Sequence, residues 1–441
     1  MASYIAIFLT VLSIPIISLK EGGQQATPDS QKNDWWGSLM PLWSSKDSII
    51  GNINSLSLLN ALAFTIGMIL TFGVSQEPRN FRANFLIFSM VFVGLIFAIQ
   101  EIRDSSLLSF LILSLGLLSK SKVAKSVTAR RFLFFGALIC MIIGATFKIP
   151  TALGCILIML LWSNETQGRN GTKAKSVAQA LAVFFVALMV AISAYTLDYL
   201  IGKTAELQKS YPEQQVMLLD LAAFICWSHN TQIRQEGLFV AVSSQKTQVY
   251  EKDICASLRP NSWVYLVQES GGGSKSFGPP LEILKSESQV SELRQGWFRL
   301  LIKYPGQYAQ NKAAIGSQLL WVGNPFGGIA NELVDLRTKF SDRIWSQIGW
   351  LLLLLGNIKF FSLPFQVTLL LLLRRTFMCE FMDKTKLAFM TIAYFCNLVL
   401  LCVSYVSDEA RYIFPFVFIV YIIAIRSSLL FCRRNTCPKV N

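Results

Sequence analysis

Runs of hydrocarbon side chains constrain this chain more than any other feature. They recur near residues 2–19, 55–74, 85–100, 106–118, 132–147, 149–162, 177–201, 346–373, 387–406 and 412–431. About 20 apolar residues cross the hydrocarbon of a bilayer as a helix; the shorter runs reach that length by tilt, by re-entry or with flanking Ser and Thr. The reading is therefore a polytopic α-helical membrane protein of about 10 spans, a count set by run length. Composition agrees: 53% hydrophobic and only 15% charged residues are too apolar for an ordinary water-soluble globule. The first run has no basic segment before it and no small-residue cleavage signal after it, so it reads as a retained span.

The charges that remain are unevenly placed. With the N-terminus inside, the cytoplasmic segments hold Arg79 and Arg82, then Lys120, Lys122, Lys125, Arg130 and Arg131, then Arg169, Lys173 and Lys175. Further along they hold Arg374, Arg375, Lys384 and Lys386, and finally Arg433, Arg434 and Lys439 in the tail. The short loops opposite carry Arg103, Lys148 and Arg411. This is the asymmetry of the positive-inside rule, and it accounts for much of the net charge of +14 without nucleic acid as a partner. The run 346–373 contains Gly356, Asn357, Lys359 and Pro364. As a hairpin it would place the later bases outside, so one kinked or tilted span is expected, with both termini inside.

Three regions follow: a membrane region 1–201 with an external loop 20–54, an extracytoplasmic soluble region 202–343 of α or α/β type, and a second membrane region 344–441. In the soluble region, "QQVMLLDLAAFICWS" suits a helix or strand feeding an apolar core, and "ESGGGSKSFGPP" suits a loop. Trp297, Leu300, Leu301, Tyr304 and Tyr308 recur at helical steps broken by Pro305, which predicts a helix, a turn and a second helix. Cys226 and Cys255 leave a disulfide and two free thiols equally open. Nine Cys without a C-x-x-C pair, and a single His, argue against a zinc or haem site. His229 is expected at the surface. The Asn-x-Thr triplets at Asn164 and Asn170 fall on the cytoplasmic side.

The external face gathers the unusual charges. Lys148, in "GATFKIPTALG", lies between two apolar runs, where an ammonium is costly unless it snorkels to the interface or an anion accompanies it. "VSDEARYIFPF" sets Asp408, Glu409, Arg411 and Tyr412 in a gap between two more. Either the acids close a tight turn with Arg411, or Arg411 and Tyr412 face a cleft where a planar guanidinium grips a phosphate and Asp408 or Glu409 orients it. Carboxylates and bases at a membrane boundary suit an enzyme of lipid-linked, phosphate-bearing substrates.

Three segments in order, Asp220-Leu221-Ala222, then Trp297 with Leu301, Pro305 and Tyr308, then Asp408 with Arg411, Tyr412 and Pro415, are similar to bacterial integral-membrane glycosyltransferases of the GT-C superfamily. The last has one extra residue before the Arg, and the likeness covers mainly the second half. The resemblance implies a polyprenyl-phosphate-linked sugar donor and a glycan, lipid or protein acceptor. It also implies a catalytic Asp in the first external loop. Asp34, beside Trp35 and Trp36, is the first candidate and Asp29 the second, and no second acid adjoins Asp34. The expected reaction is displacement of polyprenyl phosphate by an acceptor hydroxyl, with Asp34 as base and Lys148 and Arg411 on the leaving phosphate. Asp220, Trp297, Tyr308, Asp408, Glu409 and Tyr412 complete the candidate substrate contacts, no metal ligand set stands out, and assistance by a divalent metal is left open. The bacterial cytoplasmic membrane, with the soluble region outside, is the implied location. The alternatives are an O-antigen polymerase or ligase type of enzyme and a non-enzymatic lipid or glycan transporter, which would show charged or broken helices at mid-membrane.

Overall fold

The computed structural model describes residues 55–72, 103–163, 173–204, 213–245, 250–258, 286–321 and 414–436 with shorter stretches at 211 and 281–284, and isolated positions between 87 and 98, at 266, and between 346 and 392. All regular structure among the described residues is helical, so of the two forms open for the soluble region only α is seen. The helices fall into two compact units.

The first unit contains α1 (Ser55–Phe72), α2 (Arg103–Val123), α3 (Val127–Phe147), α4 (Ile149–Ser163), α5 (Lys173–Thr204) and α11 (Phe414–Thr436). Among the described residues three segments are long and apolar enough to cross a membrane: Asp104–Val123, Val127–Phe147 and Val177–Ile201. Helix α3 shows why water is the wrong solvent for it. One face buries Ala137, Met141, Gly144 and Ala145, yet the other exposes Phe132, Phe135 and Ile139. A helix apolar on both faces is stable only against protein on one side and lipid on the other.

Close backbone approach sets the packing of α1 on α2. A Cβ added to Gly67 would stand 2.5 Å from the carbonyl carbon of Ile112, and one on Gly116 would stand 2.6 Å from the Gly67 oxygen. Small residues at such a crossing let two backbones meet, which drives helix association where lipid removes the hydrophobic effect. The two helices run parallel: Asn60 donates to Ser106 at one end, and Gly67 meets the 112–116 segment further along. Helix α3 returns antiparallel to α2, with Ser114 Oγ donating to the Ala137 carbonyl at mid-length.

Lys148 turns the chain between α3 and α4. Its φ of −163° and ψ of 84° end α3, its N–H bonds back to Ala145 O, and its own carbonyl accepts the Ala152 N–H that starts α4. Pro150 then falls in the first turn, where a missing N–H costs nothing. The result sorts the charges by end. Lys122 reaches the last carbonyls of α4, donating to Trp162 O at 2.9 Å and lying 3.9 Å above its ring, with Arg426 of α11 at 6.0 Å. Lys148 and Asp104 stand at the opposite end.

The second unit is α6 (Gln214–Trp227), α7 (Thr231–Gln245), α8 (Glu251–Ser257), α9 (Glu287–Lys303) and α10 (Pro305–Trp321). Helix α6 is its core: from Met217 to Ile225 every residue is buried. A disulfide between Cys226 and Cys255 ties the end of α6 to α8. Two glutamine side chains stand in for a neighbouring strand along the extended stretch 281–284. Gln214 donates to Leu284 O and accepts from Leu284 N, and Gln245 does the same with Glu282. Buried amides satisfy buried backbone here, where a bare peptide group would cost about 1–3 kcal/mol. Ser286 then caps the start of α9, its Oγ accepting from the Gln289 N–H and donating to Gln289 Oε1. The break expected at Pro305 is present, with Tyr304 closing α9 and Pro305 beginning α10.

Candidate functional site

Asp220 lies at the middle of α6, fully buried. Its position follows from the helix: with every neighbour from Met217 to Ile225 inside, residue 220 has no face that reaches water. A carboxylate there must be paired, because desolvating a lone charge costs far more than one helix contributes. Two side chains supply partners. Lys312 of α10 brings Nζ to 2.7 Å from Oδ1, with 6% of its own side chain exposed, and Trp297 of α9 donates its indole N–H to Oδ2 at 3.1 Å. One carboxylate therefore joins three helices.

Tyr308, one turn before Lys312, stacks on Phe224, one turn after Asp220, at 6.4 Å between centroids and 16° between planes. Lys312 Nζ lies 5.8 Å from the Tyr308 ring centroid, so the ammonium has a carboxylate and an aromatic face beside it. Burial pushes the Asp220 carboxyl above the ordinary range, while the Lys312 ammonium beside it and the Trp297 hydrogen bond pull it back. Burial and the Asp220 charge together hold the Tyr308 hydroxyl far above the usual phenol value. Tyr308 therefore stays neutral at physiological pH.

Three residues expected from the sequence, Asp220, Trp297 and Tyr308, thus meet at one point. Lys312 is the member the sequence reading missed. Its signal was its spacing, four residues after Tyr308, which puts both on one face of α10. Asn311 beside it is also buried and accepts from Gln307 Nε2 at 2.9 Å. A second cluster on the same unit is partly exposed. Lys303, Tyr304 and Gln232 all donate to Glu236 Oε1, at 2.7, 2.9 and 3.2 Å. His229 is exposed, as expected.

Lys148 belongs to the other unit. Its ammonium is 2.8 Å from Asp104 Oδ1, with side-chain exposures of 15% and 4%. The companion that an ammonium between apolar runs requires is therefore a carboxylate at the start of α2. Asp29, Asp34, Asp408, Glu409, Arg411 and Tyr412 lie outside the described residues. Among the described residues no group of three or more His, Cys, Asp or Glu is arranged to hold a metal ion.

These helices define a helical protein with segments long and apolar enough to cross a membrane and a disulfide-tied helical unit built around a buried ion pair. No protein-family model, no curated protein and no solved structure matches the chain.

Proposed function

We propose that the chain is a polytopic membrane glycosyltransferase of the GT-C type. It moves a sugar from a polyprenyl-phosphate donor to an acceptor hydroxyl at the extracytoplasmic face of a bacterial cytoplasmic membrane. The observation that carries this reading is the meeting of Asp220, Trp297 and Tyr308. They come from two of the three segments on which the resemblance rests, and 77 residues separate Asp220 from Trp297. The Cys226–Cys255 disulfide supports an oxidising, extracytoplasmic setting for the helical unit. The gathering of Lys122 and Trp162 at the end opposite Lys148 supports the same orientation.

In this reading the buried ion pair holds α6, α9 and α10 as a rigid frame, and the reacting groups lie elsewhere. Asp34, with Asp29 as second candidate, takes the proton of the acceptor hydroxyl, and Arg411 and Lys148 stabilise the departing phosphate. The test is binding of polyprenyl phosphate to the full-length protein in lipid nanodiscs, compared with Arg411→Ala and Lys148→Ala, followed by turnover of Asp34→Asn. Loss of binding in both base variants with intact fold is the expected result. Equal binding in all three removes the leaving-group assignment.

A further inference from the structure

Helices α7 and α9 lie side by side in the second unit. Val240 packs where a side chain on Gly296 would have stood, and Glu236 receives Lys303 and Tyr304 across the seam. Beside that seam the surface is apolar. Phe239 adjoins Val240 and is 70% exposed; Ile302 adjoins Lys303 and is 67% exposed; Phe298, one turn before Ile302, is 57% exposed. On α9 this face is opposite Leu293 and Leu300, which are buried, so no packing among the described residues explains Phe298 and Ile302. Arg299 is exposed on the same turn and forms no ion pair among the described residues.

We infer that the outer face of the α7–α9 pair, carrying Phe239, Phe298 and Ile302, docks into the headgroup and acyl boundary of the bilayer. Two observations select lipid as the occupant. The unit follows closely on a membrane-crossing segment: α5 ends at Thr204, and residues 205–210 lead to Tyr211. Fully extended, that link spans about 20 Å. The end of α5 exposes Tyr195 and Tyr199, the residue type that settles at headgroup level. The second observation is the chemistry of the patch. Large apolar side chains with a base beside them enter the interface while the cation meets lipid phosphate. The inference does not depend on sugar transfer.

The experiment uses the full-length protein in nanodiscs of phosphatidylcholine and phosphatidylglycerol. A photo-crosslinking benzoylphenylalanine replaces Ile302 in one preparation and Lys252, exposed on α8, in another. After irradiation, mass analysis is expected to find lipid adducts at position 302 in about tenfold excess over position 252. Adding Phe239→Asp and Phe298→Asp is expected to remove that excess, with the Cys226–Cys255 bond still present as the check on folding. Equal adducts at the two positions overturn the docking surface. So does crosslinking at 302 to a second copy or to another protein in place of lipid.

Discussion

Lys312 and Asp220 form an ion pair at 2.7 Å in which neither side chain reaches solvent appreciably, and Trp297 completes it from a third helix. Such a pair gains little over an apolar pair of the same size, but either half alone is a buried, uncompensated charge. Lys312→Ala and Asp220→Ala are each expected to cost about 3–5 kcal/mol. The double variant Asp220→Leu with Lys312→Met is expected to recover most of it. Thermal unfolding in detergent checks this, and a double variant as unstable as the singles would show that the charges themselves are required.

Asp104 and Lys148 invite a different comparison, because Lys148 retains some exposure. If the ammonium receives a phosphate, removing its resident anion makes it a stronger receptor. Asp104→Asn is then expected to tighten polyprenyl-phosphate binding several-fold while lowering the unfolding midpoint. A lower midpoint with unchanged binding would make the pair structural only.

The disulfide closes a loop of 29 residues. In the chain-entropy account such a loop contributes about 3–4 kcal/mol, so Cys226→Ser and Cys255→Ser are each expected to lower stability by about that amount. Maleimide labelling of intact cells, with and without reductant, reads the compartment. Ready labelling of both residues without reductant would place them as free thiols.

At the α1–α2 crossing, Gly67→Ala is expected to disrupt packing, since its Cβ would meet Ile112 backbone that cannot move aside. Gly136→Ala is the control, because its Cβ would be 3.6 Å from Leu117, an ordinary contact. Expression level and unfolding midpoint in detergent should separate the two, and equal behaviour would discredit the crossing.

Acid is expected to destabilise the protein through the seam between α7 and α9 rather than through Asp220. Lys303, then Tyr304 and Gln232, hold the Glu236 carboxyl below its ordinary value of 4.5. A depressed carboxyl contributes stability present above the ordinary value and lost as pH falls through the depressed one. Asp220 has the opposite sign. With its carboxyl raised by burial, its contribution is lost as pH rises through the raised value, so it adds nothing to the acid limb. Midpoints recorded from pH 7 to pH 3 should fall on the acid side, and Glu236→Gln should flatten that limb. An unchanged limb would remove Glu236 as its source.

Local chemistry was legible in the chain wherever it breaks or continues a helix. The interruption at Lys148 ahead of Pro150, and the one at Pro305, could be read because proline and a charge between apolar runs act on their own backbone. Asp220, Trp297 and Tyr308 were singled out by the resemblance rather than by their spacing. Whether Cys226 and Cys255 would pair was open, since 29 residues of chain allow either outcome until α8 is seen against α6. Asp104 and Gln214 carried no mark at all, and Lys312 carried only its spacing from Tyr308. A lysine in "QNKAA" or an aspartate in "IRDSS" looks solvated until another element covers it.

The sequence by itself determined the apolar segments and their helical class, while leaving the soluble region open between α and α/β, because hydropathy and helix breaking are properties of neighbours along the chain. Only the tertiary structure decided which charges are buried and what neutralises them. Lys148 finds Asp104 across 44 residues, and Asp220 finds Trp297 across 77. The free energy of a buried charge depends on the atoms within a few ångströms of it, and local sequence does not say which atoms those will be.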